Sequence, residues 1–299
     1  MSQTSSPSTQ RSYGLARVCR VWEMPRSTVY AAQERRRPGV APPQRRGPKP
    51  VWSDPALLTQ IRGVLEAAPF VGEGHRKVWA RLRYRGVRTS KARVLRLMRD
   101  AQLLAPTRLG HTHGPAAHDG TILTARPDVM WGTDATSCLT RREGTATIFI
   151  AIDHCTAECV GIHAANPGTR FEALEPIRQG VRAAFGGYAA GVAAGLALRH
   201  DHGSQYMSDH FQDELRFLGI ASSPAFVREP EGNGCAERFI RTLKEQLLWV
   251  RTFDTVEELR LALLEFKARY NGAWLIERHG HQTPAAVRAA FTVAGDVAA

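Results

Sequence analysis

Apolar residues recur with the spacing of helices in the first third of the chain and with the spacing of strands further on. Two short helical patterns lie on either side of Trp22–Pro25. Leu15, Val18 and Cys19 fall on one face of the first pattern. A helix, a tight turn and a second helix predict a helix-turn-helix-like segment over residues 1–36.

A proline-rich stretch separates this segment from a second group of helical patterns. Residues 37–50 hold five prolines and show no apolar period, which predicts an extended linker. Residues 51–105 predict a second helix-turn-helix module, and its helices are expected at residues 53–68, 75–85 and 91–101. Residues 106–126 again lack periodicity and are interpreted as a second linker.

The last helix of this module is predicted to carry a stripe of arginines. Ser90 can cap its start, and Arg93, Arg96 and Arg99 follow at threefold spacing on a face other than the apolar one. A capped helix with such a stripe is typical of a DNA major-groove reader or a phosphate clamp. The alternative is a solvated basic face with no partner.

The chain from residue 127 to residue 290 is predicted to form an α/β core. Its first part predicts three antiparallel strands and a helix, at residues 129–139, 145–153, 157–164 and 169–185. Its second part alternates strands and helices, at residues 196–200, 209–218, 220–223, 233–249 and 256–270. This order predicts a mixed sheet with flanking helices. Residues 291–299 are interpreted as a tail.

Charge changes the picture, because it is distributed unevenly along the 299 residues. Residues 1–120 hold 22 Lys and Arg against 7 Asp and Glu, a net charge of +15. Residues 121–299 hold 18 against 21, a net charge of −3. A basic arm in front of a nearly neutral body favours a nucleic-acid partner.

The cysteines and the apolar stretches restrict the compartment. The five cysteines are an odd number and include no Cys-x-x-Cys pair, so reduced thiols are expected. Cys155 and Cys159 are interpreted as buried structural thiols rather than zinc ligands. No uncharged stretch reaches membrane-spanning length, and residues 1–10 lack the apolar segment of a signal peptide. A cytoplasmic location is expected.

Three acidic residues lie where chemistry is expected. Asp134 falls within the first strand of the core, Asp201 directly follows a short buried strand, and Glu237 lies in the first turn of a helix. Each has a structural alternative: a turn residue between strands, a turn aspartate before Gly203, and an acid favoured by the helix dipole. Carboxylates drawn together would supply the hard oxygen ligands that Mg²⁺ prefers.

The helix that begins near residue 233 adds polar groups to these acids. Asn233, Glu237, Arg241 and Lys244 are predicted to share one face. A cation beside the acids would steady a DNA backbone. The sequence lacks the usual motifs of ATPase phosphate loops, zinc proteases and serine hydrolases: it has no Gly-Lys pair, no HExxH and no G-x-S-x-G.

Three motifs together resemble the catalytic subunit of insertion-sequence transposases of the IS-three type, whose core is similar to retroviral integrase. The motifs are Trp131-x-Thr133-Asp134-x-Thr136, His200-Asp201-x-Gly203-Ser204-Gln205-Tyr206, and Asn233-x-x-x-Glu237 running to Leu243-Lys244. Thirty-five residues separate Asp201 from Glu237, as in the family's signature. Gly232 before Asn233 and His202 after Asp201 depart from the commonest family pattern.

The resemblance implies a ribonuclease H-like core in which Asp134, Asp201 and Glu237 are catalytic and hold two divalent ions, Mg²⁺ or Mn²⁺. It implies strand cleavage at the ends of an insertion sequence, followed by strand transfer. Lys244, Asn233 and Arg241 would contact DNA, together with the arginine stripe. The implied partners are double-stranded DNA at the element ends and the target, further copies of the chain, and a small DNA-binding protein from an upstream reading frame. The implied location is the bacterial nucleoid.

Two other functions remain open from the sequence. The chain can be a catalytically inactive DNA-binding remnant or regulator, in which the basic arm binds and the core is a scaffold. A junction-resolving nuclease of the same broad fold is a third interpretation, and it gives no reason for two helix-turn-helix regions. Asp153 is a further acid near the strands and is expected only to support the site.

Overall fold

The computed structural model describes residues 3–37, 51–106, 122–224 and 233–297. The chain divides into two compact units, Met1–Ser53 and Asp54–Ala299. The predicted linker at 37–50, apart from its first residue, lies outside the described residues, as does most of the one at 106–126. No helix within the described ranges is long and apolar enough to span a membrane.

The first unit contains the two helices that the sequence predicted. They are α1 (Gly14–Val21) and α2 (Arg26–Arg35). Pro25 directly precedes α2, where its fixed φ suits the entry into a helix. Cys19 is the buried residue of α1, and it lies on the face predicted to point inward.

The second unit begins with a three-helix module made of α3 (Asp54–Glu66), α4 (His75–Tyr84) and α5 (Lys91–Asp100). Ser90 caps α5 as predicted, because its hydroxyl accepts from the backbone N–H of Arg93 at 3.2 Å. The module encloses a small apolar core of Leu57, Ile61, Val64, Val78, Leu82, Val94, Leu97 and Met98.

A five-stranded mixed sheet forms the centre of the second unit. Its strands are β1 (Met130–Thr140), β2 (Gly144–Asp153), β3 (Cys159–Ala165), β4 (Ala197–His200) and β5 (Ala221–Pro224). The spatial order is β3-β2-β1-β4-β5. The first three strands form the predicted antiparallel meander, while β4 runs parallel to β1 and β5 parallel to β4.

Helices cover both faces of this sheet. They are α6 (Arg170–Ala173), α7 (Glu175–Phe185), α8 (Asp209–Leu218), α9 (Gly234–Leu243) and α10 (Val256–Ala273), and a further helix, α11 (Pro284–Val297), packs against α10. Ile148 and Ile150 of β2 face a core shared with α9 and α10, whereas Phe149 and Ala151 face a core shared with α7 and α8. This double burial explains why β2 is apolar at nearly every position. The predicted mixed sheet with flanking helices is confirmed.

Three boundaries differ from prediction. The helix expected over 169–185 is two helices, α6 and α7, because Pro176 has no N–H with which to continue the hydrogen-bond ladder. Phe171 is therefore 49% exposed rather than inward-facing. The helix expected over 233–249 is α-helical only to Leu243 and continues as a π-helical turn, Lys244–Leu248. The segment expected to be a tail begins within α11, which runs to Val297.

The three-helix module packs against the C-terminal part of the core. Phe70 is buried in the same apolar cluster as Phe239 and Phe266, and its ring meets that of Trp274 edge-on at 4.8 Å. The sequence predicted separate domains at 51–105 and 127–290, but the described residues of both pack as one unit. The burial of Phe70 in the apolar cluster of the core accounts for this packing.

Candidate active site

Asp134 lies near the middle of β1, the central strand of the sheet. It pairs across the sheet with Ile150, so it is a strand residue, and the alternative of a turn between two short strands is wrong. In the parallel pairing, Gly132 lies beside Arg199 of β4. The same register carried two residues further brings Asp201, just past the end of β4, beside Asp134.

Burial raises the pKa of Asp134 to about 6, because removal of water disfavours the charged form. The backbone N–H of Ala135, which donates to Oδ1 at 2.8 Å, opposes the rise. The negative charges of Asp201 and Glu237 raise the pKa further, and the positive charge of Lys244 lowers it. Asp134 therefore lies within electrostatic reach of the other two acids and of Lys244.

Asp201 and Glu237 occupy more open positions than Asp134. Asp201 is exposed, and its Oδ1 accepts from the backbone N–H of Gly203 at 2.8 Å. Asp201 is therefore the turn aspartate before Gly203 that the sequence analysis gave as an alternative. It also lies beside Asp134. Glu237 lies in the first turn of α9 at the surface, and partial burial raises its pKa.

The donor chemistry of this cluster suits a divalent cation. Asp134, Asp201 and Glu237 are carboxylates, and none of them forms an ion pair with a described residue. Their negative charges are opposed at longer range by Lys244. Within the described ranges, however, no three His, Cys, Asp or Glu side chains come close enough together to hold an ion. The three acids therefore fit Mg²⁺ or Mn²⁺ in charge and ligand type but are spaced more widely than direct chelation requires.

Asn233 is buried, whereas Glu237 and Arg241 are exposed, so these residues do not form one exposed face. The contact of Asn233 with DNA stays a prediction. The Nδ2 of Asn233 donates to the carbonyl oxygen of Thr133 at 2.9 Å. Arg241 is exposed and pairs with Glu245 at 3.1 Å. Lys244 is half-buried at the end of α9.

The arginine stripe of α5 is not a free basic face. Arg93 and Arg96 both donate to the carboxylate of Asp54, with nitrogen–oxygen distances of 2.5 and 2.6 Å. The guanidinium of Arg96, and then that of Arg93, holds the pKa of Asp54 below its ordinary value. Asp54 begins α3 and partly neutralises the stripe, so of the three predicted contacts only Arg99 is exposed without an acidic partner among the described residues.

The same module carries an exposed basic cluster that the sequence analysis did not identify. The end of α4, the turn after it and the start of α5 carry Arg83, Arg85, Arg88 and Lys91, which are exposed and form no ion pair with any described residue. Arg83 and Lys91 lie 5.0 and 4.6 Å from the ring centroid of Trp79. The Trp79 Nε1 donates to the carbonyl oxygen of Thr89 at 2.9 Å, which fixes the ring. The signal in the sequence was the density of basic residues in the turn.

The remaining candidate residues are structural. Asp153 is fully buried and accepts from the backbone N–H of Asp128 and from both N–H and hydroxyl of Thr156, at 2.9, 2.7 and 2.8 Å. These bonds hold the turn after β2. Cys155 and Cys159 are buried free thiols, as expected, and burial raises the pKa of both.

Two protein-family models match the chain. An HTH-like domain matches residues 54–110, and an integrase core domain matches residues 218–284. The first match covers the three-helix module, and the second covers the helix that carries Glu237. Neither model covers half of the chain.

Curated relatives match over more of its length. The transposase for insertion sequence element IS629 of Shigella sonnei is 26% identical over 288 residues, which are 93% of each chain. Transposase InsD for insertion element IS2A/D/F/H/I/K of Escherichia coli is 27% identical over 201 residues, which are 65% of each chain. Among solved structures, the catalytic core domain of BIV integrase aligns with a TM-score of 0.42 and 19% identity, over 56% of this chain and 98% of its own. The chain is therefore related to insertion-sequence transposases and combines an HTH-like domain with an integrase core domain.

Proposed function

We propose that this chain is a DNA transposase that cleaves the ends of an insertion sequence and joins them to target DNA in a divalent-metal-dependent reaction. The observation that carries the proposal is the sheet register that brings Asp201 beside Asp134, with Glu237 close enough to raise the pKa of Asp134, although these two acids lie 67 and 103 residues further along the chain. Three carboxylates that lie on separate elements and influence one another's charge favour a metal site over three unrelated structural acids.

The proposed metal ligands are Asp134, Asp201 and Glu237. When bound, Mg²⁺ or Mn²⁺ would activate the attacking hydroxyl and stabilise the departing oxygen at phosphorus, and the family uses two ions. Because the three acids as they stand are spaced too widely to chelate one ion, metal binding would draw Asp201 and Glu237 toward Asp134. Asp134 sits on the rigid central strand and is the fixed member of the set.

The surrounding residues would orient the DNA. Lys244 lies near enough to Asp134 to lower its pKa and would bind a backbone phosphate at the edge of the site. Arg241 is exposed on α9 and can exchange Glu245 for a phosphate. Both reaction steps are in-line displacements at phosphorus, so the chain's part is to hold the attacking and leaving groups in line.

Double-stranded DNA is the proposed partner of the HTH-like domain as well. The cluster of Arg83, Arg85, Arg88 and Lys91 offers unneutralised positive charge there, and Arg99 adds to it. Joining two element ends favours at least two copies of the chain in the active complex. The small upstream-frame protein and the nucleoid location stay predictions.

A cleavage assay tests the proposed function. We expect the purified chain to nick a labelled element-end duplex with Mg²⁺ or Mn²⁺. Asp201→Asn and Glu237→Gln should lower that rate by about a thousandfold or more without weakening binding. Asp213→Asn is the matched control, because Asp213 is an exposed acid on α8 paired with Arg216. Firm binding without nicking by the unaltered chain would instead support the inactive DNA-binding remnant.

A further inference from the structure

Asn233 connects the helix that carries Glu237 with the strand that carries Asp134. It directly precedes α9 and is 7% exposed. Its Nδ2 donates to the carbonyl oxygen of Thr133 at 2.9 Å. That carbonyl belongs to the peptide bond that leads into Asp134, so the hydrogen bond ends one residue away from the buried acid.

This is not the usual use of an asparagine at the start of a helix. An asparagine in that position ordinarily accepts a hydrogen bond from a backbone N–H of the first turn and so caps its own helix. The side chain of Asn233 forms no such bond in α9. Because the amide is committed to β1, it fixes where the helix begins relative to the strand.

The strand leaves room for this amide at Gly132. A Cβ at Gly132 would lie 2.5 Å from Oδ1 of Asn233 and 2.8 Å from Nε2 of His154, too close for either side chain to remain in place. Glycine therefore allows both side chains to pack directly on the backbone of β1. The start of α9 thus sits at a fixed depth against the strand.

Arg278 holds the same region from the C-terminal side. Its guanidinium donates to the carbonyl oxygens of His154 and Cys155, at 2.9 and 3.1 Å. Another of its nitrogens lies 3.7 Å from the Sγ of Cys235, in the first turn of α9. Arg278 thereby joins the turn after β2 to the start of the helix.

We propose that Asn233 is a positioning residue whose hydrogen bond to Thr133 sets the distance between the carboxylates of Glu237 and Asp134. This inference rests on the proposed function. Glu237 lies about one helical turn beyond Asn233, so a displacement at the start of α9 is passed on to its carboxylate. A misplacement of about 1 Å at a catalytic group can lower a rate by about a hundredfold.

Asn233→Asp tests the inference, because it preserves the shape of the side chain and removes the donor. Asn271→Asp is the matched control. Asn271 ties α10 to the edge strand β3: its Oδ1 accepts from the backbone N–H of Cys159 and its Nδ2 donates to the carbonyl oxygen of Cys159, each at 2.9 Å, and β2 separates β3 from β1. Both variants should lose similar thermal stability and bind element-end DNA as the unaltered chain does.

Only Asn233→Asp should affect the metal site. We expect its cleavage rate to fall about a hundredfold and its Mn²⁺ affinity, titrated by electron paramagnetic resonance in the absence of DNA, to fall about tenfold. Asn271→Asp should change neither. If Asn233→Asp does not fold, Asn233→Ser carries the same measurements.

The outcomes separate this inference from the proposed function. Equal losses of activity and Mn²⁺ affinity in the two variants would show that Asn233 only supports the fold. An active, Mn²⁺-binding unaltered chain whose Asn233 variants match it would also overturn the inference while leaving the proposed function intact. An unaltered chain that binds DNA but neither binds Mn²⁺ nor cleaves would overturn the proposed function itself.

Discussion

Asp134 lies where a carboxylate suits a metal site but lowers the stability of the fold. A carboxylate on the central strand of a sheet loses much of its hydration, and burial raises its pKa to about 6. The negative charges of Asp201 and Glu237 add to the rise. An acid in such a place destabilises the metal-free protein at neutral pH, and a bound cation would reverse that effect.

We therefore expect Asp134→Asn to stabilise the metal-free protein. The folded-state pKa lies above the unfolded value, so the folded chain binds more protons between about pH 4 and pH 6, and the contribution of Asp134 to stability is lost as pH rises through that window. At pH 7.5 in EDTA, the variant should gain about 1 to 3 kcal/mol in free energy of unfolding, measured with urea. The gain should vanish near pH 4, and no gain at pH 7.5 would contradict the argument.

The sequence could predict some of these residues and not others. Asp134 and Asp201 stood out because acids within or just after buried strands are unusual, and strand position follows from local pattern. The role of Asn233 could not be predicted, since helical spacing does not reveal that Gly132 lies opposite. The pairing of Arg93 could not be predicted for a similar reason: its partner Asp54 is 39 residues away in sequence, and periodicity carries no information on such a pairing.

Capping residues determine the helix boundaries that were predicted well. Ser208 and Gly219 enclose α8, where the serine hydroxyl accepts from Phe211 and the glycine takes a left-handed φ of 78°. The proline at residue 176 also marks the break between α6 and α7, but the single helix predicted over 169–185 rested on apolar spacing alone. The π-helical turn after α9 had no such signal, because its residues are ordinary helix formers.

The turn between α4 and α5 is the element that we expect to contact DNA. Replacing Arg83, Arg88 and Lys91 together with alanine should weaken binding at least about tenfold. The slope of log affinity against log salt should fall by about one for each DNA phosphate that the variant no longer neutralises. Fluorescence anisotropy at several salt concentrations measures both quantities.

The matched control is Arg93→Ala with Arg96→Ala, in the same module. It removes two charges but leaves Asp54 without these partners. We expect a lower melting temperature and little change in the salt slope. If the double variant lowered the slope and the triple variant did not, the DNA-facing surface would be the stripe on α5 after all.

The three-helix module and the α/β core belong to one compact unit. Phe70 belongs to the apolar cluster of α10, and Arg81 of α4 reaches the carbonyl oxygen of Ala273 at 3.1 Å. Arg81 also forms two hydrogen bonds, at 2.5 and 2.6 Å, with the carboxylate of Glu73, whose side chain is 1% exposed. If the module binds a DNA end as proposed, this packing would hold that end close to the core.

Arg81→Met should lower the free energy of unfolding of the whole second unit. It removes the partner of a buried carboxylate, and an uncompensated buried charge costs about 3 to 5 kcal/mol in stability. Urea unfolding at pH 7.5 should show that loss. The pair Arg81→Met with Glu73→Gln should recover much of it, because no buried charge is then left unpaired.

The same experiment tests whether the module and the core unfold together. Because Phe70 of the module is buried in the apolar cluster of the core, far-UV and near-UV circular dichroism of the unaltered second unit should follow a single coincident transition. Two separate transitions would mean that the module folds independently and that its packing at Phe70 and Arg81 carries little energy. In that case the module would not fix the position of a bound DNA end relative to the core. Arg81→Met would then lower the cleavage rate only by the fraction of protein that it unfolds.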